Sequence, residues 1–214
     1  MNEAQAAAQP RAPRIGLLGG SFDPVHNAHV ALARSAIETL ALDELLWVPT
    51  GVAWQKTRAA TPAAHRIAML RLAIGAAPCQ RIERCEVERG GPSYTIDTVT
   101  ELQRRQPHAQ WWLLLGQDQL ANLPSWHRWH DLVARVKLAV ANRAGAALHL
   151  APELAPELAA AGVSVAELPL APMDVSSTAI RDRVAAGLGI AELVPAPVAR
   201  YIELHGLYRD PIRS

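Results

Sequence analysis

Cysteine is scarce in these 214 residues: Cys79 and Cys85 are the only two. That is too few for a disulfide scaffold at this size. Two buried thiols in the reducing cytoplasm is the simpler reading. Phenylalanine occurs once, at Phe22. Neither sign of charge is in excess, since 21 basic and 20 acidic residues leave a net charge of +1. The balance gives no support for nucleic-acid binding or for a polybasic membrane surface. No apolar run reaches the length of a membrane span. Met1 to Arg14 is rich in Ala, Gln, Pro and Arg and lacks the continuous apolar core of a signal peptide. It reads as a mobile tail, residues 1–14, ahead of a single domain at 15–214.

What is present centres on Ile15-Gly-Leu-Leu-Gly-Gly-Ser-Phe-Asp-Pro-Val-His-Asn-Ala-His29. Ile15 to Leu18 reads as a short buried strand. A glycine turn follows, in which Gly19 and Gly20 can take φ > 0 and admit a close approach to the backbone. Pro24 fixes φ near the value a helix start needs. From Ala28 onward Val30, Ala33, Ile37 and Leu40 recur at helical spacing. His26 and His29 sit at the mouth of that helix, where orphan N–H groups and the positive end of the dipole favour an anion. As metal ligands the pair falls short. Zinc needs three or four, and no cysteine or acidic residue sits at a fitting spacing.

Gly19 to His29 resembles the G-G-[ST]-F-D-P-x-H-x-G-H string of the nucleotidyltransferase superfamily. Among its members it is most similar to the bacterial nicotinate-nucleotide adenylyltransferases. Ala28 stands where that family has glycine. The resemblance implies that Gly19, Gly20, Ser21, Phe22, His26 and His29 meet ATP, with His26 and His29 catalytic. It also implies that Asp23 meets nicotinate mononucleotide.

Glu44 to Pro49 reads as a second strand, and Thr50 to Thr61 as a loop. On residues alone Lys56 is a solvated lysine. The resemblance puts a lysine here beside the ATP triphosphate, although Trp54-Gln55 replaces the family's Pro-His. A helix runs from Pro62 to about Ala77 on Ile67, Leu70 and Ile74. His65-Arg66 near its start resembles a family dipeptide, with a surface pair equally open. Gln80 to Val87 suggests a third strand, at or near a sheet edge.

Ser93-Tyr94-Thr95 leads into a helix carrying Ile96, Val99 and Leu102, which Ser93 or Thr95 could cap. The resemblance implies that Tyr94 and Thr95 recognise the nicotinate carboxylate. Trp111 to Leu115 is a continuous apolar run, the mark of a central parallel strand. Gly116-Gln117-Asp118 follows at its carboxyl end, where open α/β sheets bind ligands. Asp118 reads as a helix cap or a partner for ribose hydroxyls. The resemblance implies that Asp118 meets the mononucleotide and Gly116 meets ATP. It likewise stacks Trp126 on the pyridine ring. Trp129 reads as core, and His127 and His130 as helix surface.

Val136 to Ala141 and Val163 to Leu168 read as strands, with a helix over Ala146 to Ala161 broken by Pro152 and Pro156. Ser176 or Ser177 can cap a last helix with a stripe of Ile180, Val184 and Leu188. Val175-Ser176-Ser177-Thr178-Ala179-Ile180-Arg181 is similar to the family's I-S-S-T-x-I-R. It implies that Ser176, Ser177, Thr178 and Arg181 bind ATP phosphates, with Arg181 catalytic. Val194 to Ile202 and Leu207-Tyr208 resemble the family's closing helix.

Strands alternating with helices predict an α/β fold, a Rossmann-like doubly wound parallel sheet with helices on both faces and a small C-terminal helical extension. The resemblance implies adenylyl transfer from ATP to nicotinate mononucleotide. Mg²⁺ would be held mainly through the ATP phosphates. The expected partners are these two nucleotides, with no nucleic acid and no membrane; homo-oligomerisation stays open. A related adenylyltransferase acting on nicotinamide mononucleotide or phosphopantetheine would keep both phosphate motifs. A non-catalytic nucleotide-binding regulator would tolerate loss of a histidine, and both histidines are present. A metal module on the two H-x-x-H pairs is the remaining alternative.

Overall fold

Strands and helices alternate along the chain, as the computed structural model shows for residues 11–51, 60–142, 148, 150 and 152–209. The strands β1 (Arg14–Gly20), β2 (Glu44–Pro49), β3 (Gln80–Ile82), β4 (Gln110–Leu115), β5 (Lys137–Asn142) and β6 (Val165–Pro169) form one sheet. Its order is β3-β2-β1-β4-β5-β6, and every neighbouring pair is parallel. The helices are α1 (Asn27–Leu40), α2 (Ala63–Ile74), α3 (Cys85–Arg89), α4 (Thr95–Arg105), α5 (Gln117–Ala121), α6 (Trp129–Val133), α7 (Leu154–Ala160), α8 (Ser177–Ala185) and α9 (Ala196–Leu204).

Side chains alternate between the faces of a strand, so a run such as Trp111 to Leu115 needs cover on both sides. It has that cover. Leu113 and Leu115 enter a core with Ile96, Val99 and Leu102 of α4. Leu114 enters the opposite core with Leu32, Ala33 and Ala36 of α1 and Val198 of α9. In β2, Leu46 and Val48 divide from Leu45 and Trp47 in the same way. The sheet is therefore doubly wound, and α9 is the C-terminal extension packed on the α1 face.

The chain leaves β1 toward β2 and β3, then returns to β4 on the other side of β1. Connections leaving β1 and β4 diverge at this switch point and open a crevice above their carboxyl ends. The candidate site lies in that crevice.

Several expectations shift. The third strand stops at Ile82, at the sheet edge, because Glu83 Oε1 accepts the Cys85 N–H at 3.1 Å and turns the chain into α3. α2 ends at Ile74, where Gly75 takes φ 60° and donates to Arg71 O. Leu188 lies beyond α8 and is 54% exposed, so it is no part of the buried stripe. Pro24 precedes the cap of α1, which is His26. Residues 11–14 are anchored: Arg11 forks onto both Asp43 oxygens at 2.8 Å, and Pro13 O accepts the Gln110 N–H.

Candidate active site

β1 delivers its last residues to the crevice. Gly19 and Gly20 stay in the strand, and neither takes a positive φ; that conformation falls on Phe22, at φ 47°. What Gly19 contributes is space, since a Cβ there would meet nothing within 4 Å. Phe22 lies behind the cavity wall. It is 1% exposed, it does not line the cavity, and its ring packs on His29 at 5.0 Å and Trp47 at 5.5 Å. It supports the His29 ring from behind.

His26 caps α1 and is 7% exposed. Burial pushes its pKa down to about 4, so the ring is neutral at pH 7. The sequence suggests two basic groups here; the structure makes His26 an uncharged one. Its Nδ1 has no hydrogen-bond partner among the described residues. His29 accepts the backbone N–H of His26 on Nδ1 at 3.2 Å, which leaves the proton of a neutral ring on Nε2. The two rings stack with centroids 3.7 Å apart.

The N-terminus of α8 abuts the same loop. Ser176 caps the helix, its hydroxyl accepting the Ala179 N–H at 3.1 Å. Ser177 Oγ donates to Pro24 O at 2.9 Å. Both serines line the cavity, whereas Thr178 and Arg181 do not. Arg181 donates to Asp23 O at 2.7 Å and to Thr178 Oγ1 at 3.0 Å. The guanidinium ties α8 to the turn after β1. Asp23, expected to bind the mononucleotide, is 3% exposed and off the cavity wall. Its carboxylate accepts from Tyr208 Oη at 2.8 Å and from the Thr61 N–H at 3.2 Å.

The opposite wall rises from α4 and the segment after α5. Tyr94 caps α4 and Thr95 is its first residue; no side-chain cap forms, and Ser93 Oγ instead accepts the Gly51 N–H at 3.1 Å. Trp126 is half-buried on this wall. His127 stacks obliquely on Tyr94 with centroids 4.3 Å apart. α5 begins at Gln117 with Gly116 as its cap, so exposed Asp118 is no cap and is available at the rim.

Ser21, Gly20, His26, His29, Tyr94, Thr95, Gly116, Asp118, Trp126, Ser176 and Ser177 share one cavity of about 830 Å³ over the β1/β4 switch point. The family described as Cytidylyltransferase-like matches residues 17–183 of the chain. The chain belongs to that family. A Methylibium petroleiphilum relative named "Probable nicotinate-nucleotide adenylyltransferase" is 50% identical over 203 residues, covering 92% of this chain and 93% of its own. A Bordetella pertussis relative of the same name is 50% identical over 196 residues, covering 92% and 98%. The structure of Plasmodium falciparum nicotinic acid mononucleotide adenylyltransferase complexed with NaAD is 18% identical. It matches with a TM-score of 0.76 over 92% of this chain and 97% of that one, a shared fold.

Three features of this cytidylyltransferase-like site are invisible to motif reasoning. Glu86, 8% exposed, lines the cavity and accepts from Thr98 Oγ1 at 2.8 Å. Burial raises its pKa, against hydrogen bonds from Thr98 and Ser93. His127 is exposed, as read from the sequence, and its ring also lies against Tyr94 on the cavity wall. Arg66 is buried, not a surface residue, and its guanidinium reaches the carbonyls of Thr61, Ser21 and Thr50 at 2.8–2.9 Å. Lys56 lies outside the described residues.

Proposed function

We infer that this protein transfers the adenylyl group of ATP to nicotinate mononucleotide, giving deamido-NAD and pyrophosphate. One observation carries the reading. A single cavity is floored by the phosphate turn and α1 N-terminus, and walled by Tyr94, Thr95 and Trp126. A triphosphate and a flat pyridine nucleotide would meet there, and relatives sharing half of this sequence carry the corresponding name.

A phosphate oxygen of the mononucleotide attacks the α-phosphorus, and the bond to the bridging β-phosphate oxygen breaks. The nucleophile is already an anion, so no general base is required. The protein's part is alignment and stabilisation of developing charge. His29, with its proton on Nε2, and neutral His26 would donate hydrogen bonds to α- and β-phosphate oxygens. The positive ends of the α1 and α8 dipoles add to that field. Tyr94 and Thr95 would receive the nicotinate carboxylate at the positive end of α4, with Trp126 against the ring.

Among the described residues no group of three or more His, Cys, Asp or Glu forms a metal cage. Mg²⁺ would arrive on the triphosphate, where the ion would neutralise phosphate charge. Among the described residues no helix is long and apolar enough to cross a membrane. Cys79 and Cys85 are free thiols, which suits a cytoplasmic setting.

The test is pyrophosphate release from ATP and Mg²⁺ with either nicotinate or nicotinamide mononucleotide. Release with the acid alone supports the reading. Comparable release with the amide overturns recognition of the carboxylate, and release with neither overturns the reaction.

A further inference from the structure

Asp23 lies three residues before His26, yet its side chain faces away from the cavity and into a set of buried contacts. Tyr208 Oη donates to Asp23 Oδ1 at 2.8 Å across 185 residues of chain, and the Thr61 N–H donates to Oδ2 at 3.2 Å. Arg181 holds the Asp23 carbonyl at 2.7 Å. Beside this set, Arg66 gathers Ser21 O, Thr50 O and Thr61 O. Ser21 and Thr50 line the cavity, and Thr50 and Thr61 are the two ends of the connection between β2 and α2.

We propose that Tyr208 is a positioning residue for the phosphate end of the site, acting through Asp23 to hold the turn at residues 21–23 and Thr61 in one arrangement. The proposal rests on the reading of that end as the ATP phosphate site. Its physical basis is the cost of a buried carboxylate, which must be met by donors. Burial alone would raise the Asp23 pKa. Hydrogen bonds from Thr61 and Tyr208 outweigh it, with Arg181 also contributing, and the pKa is lowered, so Asp23 is a carboxylate. Burial and the Asp23 charge push the Tyr208 pKa up, so the phenol keeps its proton and donates. Arg66, itself buried, lies within electrostatic reach of Asp23 and Tyr208. The bonds from Tyr208, Thr61, Arg181 and Arg66 end on the backbone of this turn or on Asp23, so losing the phenol donor loosens the chain just before His26. A displacement of about 1 Å at a reacting centre is enough to lower turnover by two orders of magnitude.

The experiment is a double-mutant cycle of Tyr208→Phe and Asp23→Asn in the full chain. It reads the ATP dissociation constant by calorimetry, kcat and both KM values by pyrophosphate release, and Tm. Tyr208→Phe keeps the ring and removes one hydrogen bond to a charged group, so ATP should bind about tenfold more weakly. KM for nicotinate mononucleotide should change less than twofold, because Tyr94, Thr95 and Trp126 stand on the opposite wall of the cavity. If Tyr208 acts through Asp23, the double variant binds ATP no worse than the weaker single variant. Unchanged ATP binding in Tyr208→Phe, fully additive losses, or an equal rise in both KM values would each overturn the proposal. ATP binding without pyrophosphate release in the unaltered protein would overturn the reaction and leave this cycle readable. No ATP binding in the unaltered protein would overturn both.

Discussion

The backbone N–H of His26 donates to Nδ1 of His29 at 3.2 Å, and the two rings stack at 3.7 Å. This is the returning half of a capping box, with histidine in the place a glutamate or glutamine usually takes. One bond therefore completes a helix terminus and sets a tautomer. His29 presents a proton on Nε2 for the same reason that α1 starts at Asn27.

Replacing His29 with alanine removes that donor. By analogy with loss of one preorganised oxyanion donor, kcat should fall about a hundredfold. Steady-state pyrophosphate release measures it. A folded variant with unchanged kcat would remove His29 from the chemistry.

The pKa of His26 falls from 6.5 to about 4 on folding, so above pH 6.5 the ring is neutral in both states. Below that the unfolded chain takes up a proton that the folded protein refuses. Stability then drops as the pH falls from 6.5 to about 4, by roughly 3 kcal/mol for this group. Urea unfolding of the wild type and of His26→Gln between pH 7.5 and 4 should show a steeper loss in the wild type. Parallel curves would mean that His26 is not held neutral by burial.

Trp126 is half-buried on the wall shared with Tyr94 and Thr95. Trp126→Ala should raise KM for the mononucleotide about threefold to tenfold, the worth of one aromatic stack. KM for ATP should hardly move. Equal shifts in both would make Trp126 a packing residue only.

Gly51 passes so close to α3 that a Cβ would lie 2.2 Å from Glu86 O. The obstacle is backbone, so no rotamer change relieves it. Gly51→Ala should cost about 1–3 kcal/mol, seen as a lowered Tm in thermal unfolding. An unchanged Tm would show that α3 yields freely.

Patterns local in the chain are legible in the sequence itself. Ile15 to Leu18, Glu44 to Pro49 and Trp111 to Leu115 announce buried parallel strands, because two-sided cover demands unbroken apolar runs. Ile96, Val99 and Leu102 announce α4 by helical period. His26, His29, Tyr94, Thr95 and Trp126 stand out because their motifs are contiguous. Tertiary structure alone decides what each polar group spends its bonds on. Phe22 becomes a support for His29, and Arg181 and Asp23 turn away from the cavity to join α8, Thr61 and Tyr208. Arg66, a residue easily taken for surface, becomes the link among Ser21, Thr50 and Thr61. The reason is physical: strand and helix periods are written along the chain. A buried charge, by contrast, is satisfied by whichever donors and acceptors the fold brings to it, and for Asp23 one of these lies 185 residues away.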